Sequence, residues 1–339
     1  MIGGWVVVYL RLIQHHDPVN TAINLEIPMI VRTRLRVDKS IRYSWQILFF
    51  AATTSTTVWL LQDKLNISWL IFPDTVIAVL GTALSISLAF RNSSAYERWW
   101  DARTTWGGII NESRTFARQA MTIADPSEYS EELREVSTRA VKQQIAWANA
   151  LRLQLLNLRE SPIWLDEVGV YLRDDDYLKL MKSRNKVTAL GLLNGETIKE
   201  LEAHDEMDIY SYIQMDDTIT RLTELQGRVE RLKNTPLPTP YDYYTYAFLI
   251  VFVFLFPFTF TDEFIAAQLG SMIIPTSVIT AWIFNQLYIF GSVLAKPFDG
   301  LETDVPMQFI CRNLEIDLKQ AIGESEVPAP IEPINGVLL

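Results

Sequence analysis

The few residues that could support catalysis or hold a metal ion do not form a recognisable reactive set. The chain of 339 residues contains three histidines and one cysteine, Cys311, so it has no disulfide framework and no zinc-like spacing. The pair His15 and His16 could bind a metal, although a solvated polar pair is the more ordinary interpretation. The run Asp174–Asp176 is likewise more typical of a solvated helix end or loop than of a cation site. With no phosphate-binding loop and no Ser/His/Asp pattern, we expect that the chain is not an enzyme.

A second set of residues has a spacing that suits the control of a passage. Thr82, Ile86 and Phe90 follow one another at four-residue intervals in a long apolar run, so in a helix they share one face. Ordinary contact with core or lipid is the simpler explanation of such a face. If several copies of the helix surrounded a symmetry axis, the same face would instead form a narrow apolar constriction, which gates by dewetting.

The elements that would position this face are apolar segments kept apart from the charged residues. Hydrophobic residues make up 49% of the chain and charged residues 21%, and most of the charge lies between residues 91 and 235. This segregation is typical of a membrane protein rather than of one large soluble core. The formal net charge of −10 argues against nucleic acid as a partner. Four spanning helices are predicted, at residues 41–61, 67–90, 241–260 and 264–294.

Two prolines and the basic residues refine this layout. The second span is expected to begin as a helix near Pro73, and Pro275 is expected to kink the fourth. Basic residues precede the first span and follow the second, so the positive-inside rule places both termini and the middle block in the cytoplasm. The apolar spacing of the middle block predicts helices at residues 104–124, 131–160, 162–184 and 206–233. The remaining segments are an N-terminal part at 1–40, in which 1–28 is either an upstream extension or an interfacial helix, a cytosolic segment at 295–323 and a disordered tail at 324–339.

The boundary between the second span and the middle block has an unusual sequence. It reads Phe-Arg-Asn-Ser-Ser-Ala-Tyr-Glu-Arg-Trp-Trp-Asp-Ala-Arg over residues 90–103 and is followed, after two threonines, by Trp106 and Gly107. This stretch closely resembles the bestrophin family in its bacterial form. Agreement extends in order over about residues 29–320, with Thr235–Pro238, Lys296–Gly300 and Arg312–Glu315 as further matching segments. The motif positions are Arg91, Asn92, Ser93, Arg98, Trp99 and Trp100.

The resemblance implies an all-α membrane protein that assembles as a homopentameric ion channel in the bacterial inner membrane. Each subunit would contribute four spanning helices and a large helical cytosolic region around one axial pore. The family's hydrophobic neck maps onto Thr82, Ile86 and Phe90, the face that helical spacing had selected. A second, cytosolic constriction maps by counting onto Ile219, with Ile213 or Met215 as alternatives. Packing of this isoleucine against a neighbouring helix is an equally good explanation.

The permeant ion stays open at this level. Animal members of the family conduct chloride, so conduction of small monovalent anions is the family default, and a sodium- or potassium-selective channel of the same fold is the alternative. The neck carries no charge, whereas the acidic balance of the chain would favour cations if the acids faced the pore. A membrane-anchored scaffold whose cytosolic helices bind a partner is a competing class of function.

Calcium is the one cofactor that the resemblance raises. Animal members bind calcium through acidic residues after the fourth span, and the corresponding candidates here are Asp299, Glu302 and Asp304. This run has fewer acids than a calcium site needs, because calcium takes six to eight oxygen ligands. We therefore expect a surface loop at this position and no cofactor. The expected partners are other copies of the chain, membrane lipid and small inorganic ions.

Overall fold

The computed structural model describes residues 29–30, 37–65, 67, 71–122, 131–158, 161–203, 207–301, 303–332 and 337–338. The predictions for residues 1–28, which include His15 and His16, therefore lie outside the described residues. The described elements in chain order are β1 (Met29–Ile30), α1 (Val37–Trp59), α2 (Asp74–Thr122), α3 (Glu131–Leu155), α4 (Ile163–Glu167), α5 (Asp174–Lys182), α6 (Lys186–Ala203), α7 (Ile209–Asn234), α8 (Thr239–Ala266), α9 (Ile273–Leu294), α10 (Met307–Ala321) and β2 (Val337–Leu338).

Three of the described helices are long and apolar enough to cross a membrane, namely α2, α8 and α9 with the short turn before it. The first predicted span also forms a helix, α1, which packs against α8 and α9. Its apolar side chains Ile47 and Ala51 join one buried cluster with Leu84 of α2, Leu249 of α8 and Ala281 of α9. The four predicted spans thus lie side by side in one layer of helices.

Helix α2 continues without a break from the apolar layer into the charged block. It begins at Asp74, directly after Pro73 as predicted, and runs for 49 residues. At about 1.5 Å per residue it is roughly 73 Å long, more than twice the hydrocarbon thickness of a bilayer. The predicted boundary at residue 90 is therefore not a helix end. The face predicted to form the neck and the charged region therefore share one helix.

The turn between the last two spans lies further along the chain than the sequence predicted. Helix α8 extends to Ala266, so Asp262 and Glu263 belong to its last turns rather than to the connection. Helix α9 begins at Ile273, which places Pro275 in its first turn. A proline there removes no hydrogen bond of the helix. The physical reason for the kink predicted at Pro275 is therefore absent.

The charged region, which was predicted to be cytosolic, is built around α3, whose second half is buried on nearly all sides. Helices α2, α6 and α10 pack against it, and Trp106, Trp147 and Trp164 are the largest fully buried side chains of this core. Helix α6 was not predicted, because Gly191, Gly195 and several polar residues interrupt its apolar spacing. The single helix predicted from residue 162 to 184 is instead divided into α4, a 3-10 turn and α5.

The two ends of the described chain meet in a short strand pair. Met29 pairs with Leu338 and Ile30 with Val337 in antiparallel register. The tail predicted to be disordered therefore includes two paired residues, while its described part before them, up to residue 332, forms neither helix nor strand. The fold is all-α apart from this pair of two-residue strands within the described residues.

Candidate pore neck and its anchor

The neck residues lie on a face of α2 that no other described element covers. Ile86 is 52% exposed and Phe90 is 65% exposed, whereas Leu84 and Leu88 on the opposite face are 1% exposed. The hydroxyl of Thr82, which is also exposed, donates to the carbonyl oxygen of Ala78 at 2.8 Å. Because this hydroxyl is satisfied within the helix, Thr82 adds little free polarity to the face. A single chain thus leaves an apolar face of a spanning helix without a protein partner.

The covered face of α2 packs closely against α8 because of one glycine. A Cβ atom at Gly81 would lie 3.0 Å from the ring of Phe252. Small residues allow such close approach between spanning helices. Next to it, the hydroxyl of Ser85 donates to the carbonyl oxygen of Gly81 at 2.7 Å. Close packing on this side fixes which face of α2 is left exposed.

Arg91, the residue directly after the neck, is fully buried and connects α2 to two other helices. Its Nε donates to Oδ1 of Asp242 at 2.6 Å, Nη1 donates to the carbonyl oxygen of Tyr288 at 2.8 Å, and Nη2 donates to the hydroxyl of Ser292 at 2.6 Å. The guanidinium also lies 4.5 Å from the centre of the Tyr288 ring. A buried arginine needs such partners, since an unpaired buried charge is strongly destabilising.

Asn92 extends this contact and requires a glycine on α9. Its Nδ2 donates to the carbonyl oxygen of Leu287 at 3.0 Å. A Cβ atom at Gly291 would lie 2.1 Å from Oδ1 of Asn92 and 2.6 Å from Nη1 of Arg91. Gly291 is therefore part of the anchor, although its only signal in the sequence is that it is a glycine inside an apolar span. Together these residues fix the base of the neck to α9.

Of the remaining motif residues, two form hydrogen bonds to other segments and two lie on the surface. Arg98 donates from Nε to the carbonyl oxygen of Ala295 at 2.7 Å and from Nη2 to that of Leu232. Trp99 donates from Nε1 to the carbonyl oxygen of Thr303 at 2.8 Å. Ser93 and Trp100 are exposed. Four of the six motif positions therefore connect α2 to α7, α8 and α9 and to the segment that follows α9.

Two of the candidate calcium ligands have contacts within the chain. Asp299 accepts from Nζ of Lys233 at 2.7 Å, and the buried Asp304 accepts from the backbone N–H of Gly300 at 2.7 Å. Gly300 has a φ of +81°, a conformation that favours glycine. Desolvation raises the pKa of Asp304 to about 7. Glu302 lies outside the described residues, and within those described no group of three acidic, histidine or cysteine side chains could hold a metal ion.

The three candidates for the cytosolic constriction differ in exposure. Met215 is fully buried, and Ile219 is half-buried and packs against the cytosolic core. Ile213 is 56% exposed. Of the three side chains, Ile213 is the most accessible to a passage outside the protomer.

The acidic run of α5 and Cys311, which were considered for metal binding or catalysis, are part of a helix terminus and buried in the core, respectively. Asp174–Asp176 form the first turn of α5, where negative charge complements the helix dipole, and Asp176 accepts from Nε of Arg173 at 3.0 Å. Burial raises the pKa of Cys311 to about 12, so its thiol stays protonated at neutral pH. His204 lies outside the described residues.

Comparison with known proteins decides the family. Residues 27–320 match the family model described as bacterial and fungal bestrophin protein. The chain belongs to the bestrophin family. This bestrophin is 27% identical over 256 residues to the voltage-dependent anion channel-forming protein YneE of Escherichia coli, covering 76% of this chain and 79% of that protein. It is also 27% identical over 250 residues to a voltage-dependent anion channel-forming protein of Ralstonia nicotianae, with 74% and 78% covered.

Solved structures show the same fold. A bacterial bestrophin homologue from Klebsiella pneumoniae superposes with a TM-score of 0.72 at 24% identity, covering 83% of this chain and 98% of the other. A mutant of that homologue gives a TM-score of 0.73 over 85% of this chain. The predicted fold class is confirmed. The relatives from Escherichia coli and Ralstonia nicotianae are named as channel-forming proteins, and this bestrophin is an integral membrane protein of a channel family and not an enzyme.

Proposed function

We propose that five copies of this bestrophin form a passive channel that conducts small monovalent anions such as chloride through one axial pore. The observation that carries the proposal is the exposed apolar face of α2 in a chain whose relatives are named for forming anion channels. Lipid alone could cover such a face. Two observations favour a place for this face on the axis of an oligomer. The chain belongs to the bestrophin family, and the face lies directly before the Arg91 anchor.

The geometry of one chain is compatible with a ring of necks. Helix α2 packs against α8 and α9 on one side only, so its other side is available to face an axis. Five copies of Ile86 and Phe90 would then form two stacked apolar rings. Because these rings offer no hydrogen bonds to a hydrated ion, a narrow opening would exclude water until it widens. The outer position is occupied by Thr82, which is not an aliphatic or aromatic residue. The apolar barrier is therefore shorter than it would be with an apolar side chain at all three positions.

A cation-selective channel of the same fold is the second candidate. The chain carries a formal net charge of −10, and Glu97 is exposed on α2 beyond the neck. Acidic side chains around a cytosolic vestibule would concentrate potassium or sodium. The relatives, which are named for forming anion channels, favour anions over this alternative.

We also propose that the channel lies in the bacterial inner membrane with both termini in the cytoplasm. Arg91, Arg98 and Arg103 lie at the cytosolic end of the spanning part of α2, whereas Asp262 and Glu263 lie at the opposite end of α8. This asymmetry is the one that the positive-inside rule describes. A cytosolic constriction on α7 completes the proposal. Ile219 was predicted for it, but the greater exposure of Ile213 supports that residue instead.

Reconstitution in planar bilayers under a potassium chloride gradient tests the function. The account predicts single-channel steps whose reversal potential lies near the chloride equilibrium potential. A reversal potential near that of potassium would replace the anion channel by the cation channel. Complete absence of conductance from purified, correctly assembled protein would remove the channel proposal itself and favour a scaffold.

A further inference from the structure

A groove in the region proposed to be cytosolic lies between α2 and α7. Gly108 and Glu112 of α2 and Arg221, Arg228 and Arg231 of α7 line it, with a volume of about 660 Å³. Eighteen residues of one helix separate the last neck position, residue 90, from residue 108. This is about five complete turns, so both residues point in the same direction from α2.

Two charged side chains lie near the membrane end of this groove. Glu97 is exposed on α2 about two turns, or roughly 10 Å, beyond Phe90. Arg231 is exposed on α7. Arg98 donates from Nη2 to the carbonyl oxygen of Leu232. Arg98 directly follows Glu97 in the sequence, and Leu232 directly follows Arg231. The contact between Arg98 and Leu232 therefore places the side chains of Glu97 and Arg231 near the same level along α2.

Neither of these two charges is neutralised within the part of the chain that the structure describes. Arg228, also in the groove, pairs with Asp101, and Arg221 pairs with two acids of its own. Glu97 and Arg231 take part in no ion pair among the described residues. Both side chains therefore present a full charge, not compensated by an ion pair, to the space beside them.

Other charges near the neck are weaker candidates. Arg91 is closer to it, but it is fully buried and paired with Asp242. Glu224 lines the groove without an ion pair among the described residues, yet it lies two turns further from the neck than Arg231. That separation of roughly 10 Å is about one Debye length at 0.1 M salt. Arg98 also has no ion pair among the described residues, but its guanidinium is only partly exposed and is directed at the carbonyl oxygens of Ala295 and Leu232. The first exposed charges without an ion pair on α2 and α7 beyond the neck are thus Glu97 and Arg231.

We propose that Glu97 and Arg231 set the ion preference of the channel and that they act in opposite directions. The inference rests on the proposed function, because only an oligomer with the neck face on its axis gathers five copies of each charge around one passage. Uncharged rings do not distinguish the sign of an ion, so the nearest fixed charges decide it. A ring of Arg231 attracts anions to the cytosolic mouth, and a ring of Glu97 repels them.

Substitutions that remove one charge at a time test this inference. In a potassium chloride gradient, Glu97→Gln is expected to raise the chloride-to-potassium permeability ratio by about twofold or more, and Arg231→Gln to lower it similarly. Glu97→Asp and Arg231→Lys keep the charge and should keep the wild-type ratio. The shifts should diminish at 1 M salt, where the Debye length is only about 3 Å.

Matched controls carry the same change of charge outside the groove. Glu196 and Lys199 are exposed on α6, and their glutamine variants should leave the reversal potential unchanged. Retained conductance with no shift in Glu97→Gln and Arg231→Gln, or with shifts no larger than the controls, overturns the inference. Each variant tests its own charge, so poor assembly of one leaves the other decisive. Failure of the proposed function looks different, because the wild-type protein itself would then carry no chloride current.

Discussion

At the scale of single residues, the exposed side chains of Ile86 and Phe90, near the end of the spanning part of α2, are expected to control conductance most directly. Ile86→Ala and Phe90→Ala remove apolar volume from the proposed neck, which should widen it and lower the dewetting barrier. We expect a higher resting conductance in liposome flux assays and bilayer recordings. Leu192→Ala is a matched control, because Leu192 is 67% exposed on α6 in the cytosolic region. Wild-type conductance in both neck variants would contradict the role assigned to these residues.

Gly291 allows a test of the anchor beneath the neck. In Gly291→Ala the new methyl group would collide with Asn92 and Arg91, and overpacking of this kind costs about 1–3 kcal/mol. We expect a lower melting temperature of the solubilised protein and weaker assembly. Gly195→Ala is the control, since a Cβ atom there meets nothing within 4 Å and should stabilise α6 by about 0.5–1 kcal/mol. Equal melting temperatures for the two variants would argue against a tight anchor.

Asp304 should make stability depend on pH. Burial raises its pKa from 3.8 to about 7 in the folded protein, so the fold favours the protonated carboxyl. This contribution to stability is fully present below the unfolded pKa and is lost as the pH rises through about 7. Asp304→Asn keeps an oxygen to accept from Gly300 and should reduce the fall in melting temperature between pH 5 and pH 8. An unchanged pH profile in this variant would contradict the assignment.

At the scale of elements, the segment between α9 and α10 is held by contacts that leave little for calcium. Asp299 pairs with Lys233, and Trp99 binds the carbonyl oxygen of Thr303. We therefore predict that micromolar calcium changes neither the open probability in bilayers nor the melting temperature. A sharp calcium-dependent opening would show that this segment rearranges into a binding site. Asp299→Asn would then be expected to abolish the response.

Some of the helices could be predicted from the sequence alone and others could not. Apolar length and helical spacing were sufficient to place the four helices of the apolar layer and the exposed face with Ile86 and Phe90. They did not locate α6, whose glycines and buried polar residues weaken its pattern, or the true end of α8. The roles of Arg91 and Gly291 depend on contacts between residues about 200 positions apart in the chain. No local pattern carries such information, because it arises only when α9 packs against α2.

At the scale of the whole molecule, α2 mechanically joins the neck to the cytosolic region. One helix of 49 residues carries the neck face, the Arg91 anchor and part of the cytosolic core. A displacement of α3 or α10 against the far end of α2 would therefore reach the neck through a single rigid element. The exposed apolar face of α2 favours association of several chains. From the family, we expect this association to be a pentamer.

The central claim is that copies of this chain surround an axis with Ile86 and Phe90 at the narrowest point. Electron cryo-microscopy of the purified oligomer in lipid nanodiscs tests it most directly. The account predicts five copies around a continuous axial passage, with the exposed face of α2 turned toward the axis and both side chains lining the constriction. An oligomer without an axial passage, or one in which Ile86 and Phe90 face lipid, would contradict it.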